Sequence, residues 1–197
     1  MHPYSIDTDE RKTIYFILAV LSILFTLGFY SILDWKKITM PWWVEAPSVL
    51  FSFGLLCLLF DRCCWKWNLL SNVGLIKTPN LNGEWIGHLQ TSHDGFNGKT
   101  VIILRIKQSW TQINIVLSTN TSSSHSETAS IITGHPKGIV LSYQYWNKPQ
   151  ANAIDTMHIH PGTTLLELNM EENTLNGEYY TGRDRGSYGT LELKKNK

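Results

Sequence analysis

The stretch "TVIILRIKQ", Thr100 to Gln108, decides the fold: Ile102, Leu104 and Ile106 recur at every second position, with Val101, Ile103, Arg105 and Lys107 between them. Side chains alternate between the two faces of an extended chain, so a period of two reads as a strand with one face buried. After three residues the pattern resumes in "QINIVLS", where Ile113, Ile115 and Leu117 oppose Gln112, Asn114 and Val116. Further on, "GIVLSYQYW" sets Ile139, Leu141, Tyr143 and Tyr145 on one face, and "AIDTMHIH" sets Met157 and Ile159 opposite His158 and His160. From Gly83 onward no long segment carries the apolar period of a helix.

Turn-forming clusters separate these runs at intervals of about ten residues: "HDGFNGK", "TNTSSSHS", "TGHPKG", "NKPQAN", "HPGT", "EENT" and "GRDRGS". Short alternating strands joined by such turns predict an antiparallel meander. With no helix to cover a face, closing the sheet buries one side and removes both edges. The expectation for residues 80–197 is therefore an all-β domain, a closed antiparallel meander β-barrel of about eight strands. A two-sheet sandwich is the alternative.

One phrase occurs twice, as "LNGEWIGHLQ" from Leu81 and as "LNGEYYTGRD" from Leu175. Gly83 and Gly177 suit a bend or a close approach of backbones, as do Gly87 and Gly189, while Trp85 and Tyr179 suit large plugs on one face. The two copies fall in the first strand and near the last, which a closed meander makes neighbours across its seam.

The N-terminal third has a different texture. "IYFILAVLSILFTLGFYSIL", Ile14 to Leu33, has no charge and is long enough to cross a hydrocarbon core of about 30 Å. It reads as a transmembrane helix and not as a signal peptide, since it runs on into "LDWKK" with no small-residue cleavage site. A second apolar run, residues 42–62, carries only Glu45 and Pro47 near its start, with Pro47 suited to a first helical turn. Trp35, Trp42, Trp43, Trp65 and Trp67 mark the ends of the two runs, at the depth that amphipathic rings prefer. The predicted order is a tail (1–13), helix (14–33), short loop (34–41), helix (42–62), linker (63–79) and barrel.

Two crossings place both termini on one side. Arg11, Lys12, Arg62 and Lys66 against Lys36 and Lys37 make that side the cytoplasm. Cys57, Cys63 and Cys64 all lie at or before the linker, so the barrel has no disulfide framework. Ser22 and Thr26, like Ser48 and Ser52, are small polar residues one turn apart that allow close helix packing.

From Thr78 onward seven Lys and three Arg meet three Asp and seven Glu. A neutral domain argues against DNA or RNA polymers, which need a basic excess to displace counterions, and leaves room for a compact anion held by a few cations. The barrel has three arginines. Arg105 sits within an apolar strand, while Arg183 and Arg185 lie in a glycine-flanked turn beside Tyr179, Tyr180 and Tyr188. Tyr143, Tyr145 and Trp146 form the densest aromatic cluster and suit base stacking. Each also has a plainer reading, an outward strand position for Arg105, a solvated hairpin tip for Arg183 and Arg185, and core packing for the tyrosines. His158 and His160 have a spacing that some metal sites use, but no third ligand is evident. Surface or phosphate-contacting roles fit better. No nucleophile elbow, P-loop or paired carboxylate points to an enzyme.

Two apolar spans, then "PNLNGEWIGHL", then a β-rich domain ending "LNGEYYTGRDRGSYGTLEL" resemble the SMODS-associated two-transmembrane β-strand-rich effectors of CBASS, the bacterial anti-phage systems built on cyclic-oligonucleotide signalling. The terminal run is the most specific part, in which Gly177, Tyr179, Arg183, Tyr188 and Gly189 match the family's ending. The resemblance implies a barrel that binds a cyclic dinucleotide made by a partner cyclic-oligonucleotide synthase, with no other cofactor. It further implies a homo-oligomer on activation, and helices that breach the bacterial inner membrane and kill the infected cell. On this reading the ligand-binding residues are Arg105, Tyr143, Tyr145, Trp146, His158, Tyr179, Arg183, Arg185 and Tyr188. The rivals are a membrane-tethered, lipocalin-like carrier of an apolar ligand and a membrane-anchored enzyme using His158 and His160.

Overall fold

The computed structural model describes residues 1–37, 42–151, 158–183 and 185–196, with side chains at all of these except 42–47. The chain divides into a helical unit, Thr8–Lys77, and a β unit made of Met1–Asp7 and Thr78–Lys197.

In the helical unit α1 spans Glu10–Trp35 and α2 spans Trp42–Arg62, followed by a 3₁₀ turn at Cys64–Lys66 and the short α3 at Asn68–Asn72. The 26 residues of α1 rise about 39 Å, beyond the roughly 30 Å of a bilayer core. Among the described residues α1 is the one helix both long and apolar enough to cross a membrane. The side chains of Glu45 and Pro47, and the loop from residue 38 to 41, lie outside the described residues.

Its buried stripe is Glu10, Ile14, Leu18, Ser22 and Thr26, each one turn from the next. At its far end Thr26 Oγ1 donates to the Ser22 carbonyl at 2.8 Å and lies 3.4 Å from Ser52 Oγ of α2. Tyr30 donates to Ser48 Oγ at 3.3 Å. Small hydroxyls that satisfy themselves within or between helices let the two backbones approach. Between their charged ends the two helices expose apolar side chains, among them Phe16, Leu24 and Phe25 of α1 and Leu50 and Phe51 of α2.

The β unit holds β1 (His2–Pro3), β2 (Ser5–Ile6), β3 (Gly83–Thr91), β4 (Thr100–Gln108), β5 (Gln112–Ser118), β6 (Ser122–His135), β7 (Gly138–Pro149), β8 (His160–Asn169), β9 (Thr174–Thr181) and β10 (Tyr188–Lys195). The long strands form an antiparallel meander from β3 to β10. β10 pairs back onto β3 from Gly189↔Thr91 to Lys195↔Trp85, while β5 and β6 pair at Leu117↔Ser124. Eight strands thus close on themselves, which removes the two-sheet alternative.

Four expectations need correction. Residues 1–7, read as part of a tail, are two short strands of the β unit, held by pairing and by the burial of Tyr4 at 3% exposure. The two copies of Leu-Asn-Gly-Glu are not neighbours, because β10 lies between β3 and β9. "TNTSSSHS" is largely strand, since Ser122, Ser124 and Ser126 face inward where the interior is polar. "HPGT" opens β8 instead of turning, and its glycine faces an aromatic ring. Residues 153–157 of the strand expected at "AIDTMHIH" lie outside the described residues.

Inward positions grade from apolar to polar along the barrel axis. At one end Leu81, Trp85, Ile106, Ile113, Leu175 and Leu193 pack with Tyr4 into a solid floor. Trp85, 1% exposed, donates through Nε1 to the Leu81 carbonyl at 3.1 Å. Glycines allow the tight curvature that eight strands require. A Cβ on Gly87 would lie 1.8 Å from the Glu192 carbonyl oxygen of β10, and one on Gly177 1.9 Å from that of Leu165 in β8. Gly83 opens β3 and Gly189 lies in β10 beside Thr91. Beyond a middle layer of Leu104, Leu141, Leu166 and Leu191, inward positions turn to hydroxyls and amides.

Candidate ligand site in the barrel mouth

This polar end holds a cavity of about 280 Å³. Period-two alternation carries the inward row of β7 outward along the axis from Leu141 to Tyr143, Tyr145 and Asn147, and that of β8 from Leu166 back to Thr164, Gly162 and His160. Tyr179 and Thr181 come from β9, Arg185 and Ser187 from the β9–β10 hairpin, Thr91 from β3, and Ser122 and Ser124 from β6. Nine serine and threonine side chains line the cavity around the tyrosine rings.

The aromatic planes are held from several sides. Tyr143 and Tyr145 have ring centroids 6.1 Å apart at 53°. Gly162, paired with Tyr145, makes room for that ring: a Cβ there would lie 2.3 Å from it. Burial pushes the Tyr143 phenol up to about 12. Burial raises Tyr145 as well, with Tyr143 and Tyr179 adding to the effect, and Tyr179 is raised chiefly by burial. All three are neutral donors at physiological pH.

The cation comes from a pinned turn. Thr181 Oγ1 donates to the Ser187 carbonyl at 2.9 Å and accepts the Ser187 N–H at 2.8 Å, which locks the hairpin base. Arg185 Nε donates to Ser187 Oγ at 3.3 Å. His160, 7% exposed, places Nδ1 2.8 Å from the His158 carbonyl. A carbonyl only accepts, so the neutral ring carries its proton on Nδ1 and keeps Nε2 as an acceptor. Burial, with a contribution from Arg185, holds the His160 pKa below 6.5. Asp94, also at the rim, is turned into its own loop by accepting from the amides of Phe96 and Gly98.

Of the residues singled out from sequence, the cavity gathers Tyr143, Tyr145, His160, Tyr179 and Arg185. Arg105 faces outward and bridges to Glu84 on β3, Nε to Oε2 at 2.8 Å. Trp146 projects from the outer face of β7, and Tyr188 packs outside the barrel on Phe96 with centroids 5.8 Å apart. His158 is exposed and contributes its carbonyl, and Arg183 is exposed in the hairpin. Sequence reasoning missed Asn147, Thr164 and the serines, although carrying the alternation of β7 two residues further reaches Asn147. Among the described residues no cluster of three His, Cys, Asp or Glu side chains could hold a metal.

Since an exposed ion pair is worth about 0–1 kcal/mol, Arg105→Ala is expected to lower barrel stability by no more than that. Chemical denaturation of the full chain checks this, and a larger loss would give Arg105 a role the geometry does not show.

Comparison with known proteins places the chain among named relatives. A family model described as "Cap15, cyclic dinucleotide receptor domain" matches residues 76–195. A CD-NTase-associated protein 15 from Staphylococcus schleiferi is 32% identical over 175 residues, 87% of this chain and 91% of that protein. One from Yersinia aleksiciae is 31% identical over 139 residues, 69% and 64% of the two chains. One from Escherichia albertii is 21% identical over 189 residues, 93% and 94%.

Proposed function

The chain belongs to the Cap15 cyclic dinucleotide receptor family, and from that premise we propose that the barrel mouth binds a cyclic dinucleotide and that binding drives assembly of a CBASS membrane effector. The observation that carries this reading is the make-up of the mouth, three tyrosine rings, one arginine and a ring of hydroxyls above a floor already filled with side chains. A cyclic dinucleotide offers base faces for the rings and phosphates for the guanidinium and hydroxyls. The carbon surface of the rings suits base faces, while the one guanidinium and the hydroxyls are polar partners that a purely apolar ligand would leave unused. On this reading the protein binds its ligand and does not convert it.

The remaining steps extend from the helical unit. Two spans, α1 and α2, anchor the chain in the bacterial inner membrane with barrel and N-terminus in the cytoplasm, which the exposed apolar surface of both helices supports. Clustering of barrels clusters the helices, and the crowded helices disrupt the bilayer. The ligand drives this only as far as it binds the assembled state more tightly than the separate one. The signal comes from a cyclic-oligonucleotide synthase. Co-expression of the chain with a cyclic-dinucleotide synthase tests the sequence of events in cells. Entry of an impermeant dye is expected only with an active synthase. Entry regardless of synthase activity, or with none of a set of synthases, would contradict it.

His160 gives the site a pH signature. With its pKa lowered in the folded protein, the ring takes up a proton less readily than in the unfolded chain. It therefore contributes stability that is present above about 6.5 and lost as pH falls through its lowered value. A phosphate entering the mouth raises that pKa, so binding takes up a proton and affinity is expected to rise from pH 7.5 to 6. Titrations in buffers of different ionisation enthalpy measure the uptake. In His160→Gln both pH effects should vanish, and their persistence would remove His160 from the site.

A further inference from the structure

Among the described residues the seam between β5 and β6 has the shortest ladder of the barrel. Its ladder holds three pairs, Val116↔His125, Leu117↔Ser124 and Ser118↔Ser123, against six between β4 and β5 and eleven between β6 and β7. Beyond Val116↔His125 the ladder ends, and there Ile115 N–H donates to Ser126 Oγ, at 3.0 Å. The gap is filled by the N-terminal segment. His2 and Pro3 pair with β5 at Ile113 and Gln112, and Ser5 and Ile6 then pair in parallel with β6 at Ser130 and Ile131.

Two-residue strands supply little by themselves, so the segment is held by its side chains. His2 Nε2 lies 2.7 Å from the same Ser126 Oγ. Tyr4 enters the floor of the core and donates to the Trp110 carbonyl at 2.8 Å. Asp7 closes the far end, its carboxylate accepting from Thr133 N and Oγ1 at 2.9 Å and from Gly134 N at 2.8 Å, where β6 departs from regular register. Three residues later Glu10 begins α1.

The seam also reaches the mouth. Leu117, Ser122 and Ser124 line the cavity, and Ser126 is the next inward position of the same row. A ligand bonded to Ser122 and Ser124 would hold β6 in register with β5 and so keep Ser126 where it meets both Ile115 N–H and His2.

We propose that the β5–β6 seam is a strand-receiving site whose occupant is this chain's own His2–Asp7, and that docking of this strap and occupancy of the mouth reinforce each other. The first half stands on the seam alone; the second rests on the mouth being the ligand site. Coupling of two binding events is reciprocal, so a ligand that tightens the strap is itself bound more tightly when the strap is present. Because the strap runs directly into α1, the mouth thereby acts on the first turn of that helix.

Amide exchange on the full chain in detergent micelles tests both halves. Thr133 and Gly134 amides are expected to exchange slowly in the wild type and roughly tenfold faster in Asp7→Ala, while amides between β8 and β9 keep their rates. Asp7→Asn, which keeps one acceptor oxygen, should fall between. Thr133 and Gly134 exchanging at free-chain rates in the wild type, or unchanged in Asp7→Ala, would overturn the strap.

The second arm adds 3′,3′-cyclic di-AMP, di-GMP and di-UMP. Any of these that binds the wild type should slow those two amides further and bind Asp7→Ala at least about fivefold more weakly. Equal affinity for both proteins would overturn the coupling. If none binds the wild type, the cyclic dinucleotide reading of the mouth fails and the coupling with it, while the exchange rates still decide whether the strap docks.

Discussion

Gly177→Val is expected to leave no folded barrel. The first added carbon would lie 1.9 Å from the Leu165 carbonyl oxygen and 3.0 Å from the Leu166 Cα, and both belong to the backbone of the paired strand β8. No rotamer change relieves a clash with backbone. The strands would have to part at the centre of the sheet, breaking the ladder on that side and opening the packing between Leu175 of the floor and Leu166 of the middle layer. Single substitutions rarely cost more than about 4–5 kcal/mol, and domain stabilities are about 5–15 kcal/mol. A backbone clash this close exceeds the usual mechanisms behind that ceiling, and a loss above it removes the native state of a domain at the lower end of that stability range. Circular dichroism of the purified full chain should show the β signal gone and the helical signal retained, whereas cooperative unfolding near the wild-type temperature would mean that β8 and β9 can part without cost.

Arg185→Glu carries the largest expected effect on function. Arg185 is the one arginine or lysine among the described residues that line the mouth, and it stands on a hairpin pinned by Thr181 and Ser187. A hydrogen bond to a charged group is worth about 1.5–3 kcal/mol, and a carboxylate in its place adds repulsion toward two phosphates. Together these amount to roughly a thousandfold weaker binding, since each 1.4 kcal/mol is a factor of ten. Stability should change little, because Arg185 is half-exposed and, among the described residues, hydrogen-bonds within its own hairpin. Calorimetric titration against the same three cyclic dinucleotides, beside a thermal melt, separates the two effects. Unchanged affinity in a folded variant would move the phosphates elsewhere.

Much of this architecture is legible in the chain because a half-buried strand leaves a period of two. Ile102, Leu104 and Ile106 announce β4, and Tyr143 with Tyr145 announces a row that does point inward. The same alternation puts Arg105 on the opposite face from Ile102 and Leu104, and the structure shows it there with Glu84 as its partner.

What escaped reading has physical reasons. Ser122, Ser124 and Ser126 look like a turn because short hydroxyl side chains compete for backbone hydrogen bonds, yet in a polar mouth and a parted seam those same bonds are wanted. The strap leaves no period at all in two-residue strands, and its partners are more than a hundred residues away in sequence. The neighbour of β3 is β10 and not the strand with the matching phrase, a distinction that depends on counting strands correctly through residues 160–195. His160 was noticed for its spacing to His158, whereas its role follows from burial and from the His158 carbonyl that sets its tautomer.

Titration of the full chain in lipid nanodiscs against 3′,3′-cyclic di-AMP, di-GMP and di-UMP tests most directly whether the barrel mouth is the receptor site. Saturable binding of at least one is expected, abolished by Arg185→Glu and retained by Arg105→Ala. Binding that survives Arg185→Glu, or no binding of any of the three, would contradict it.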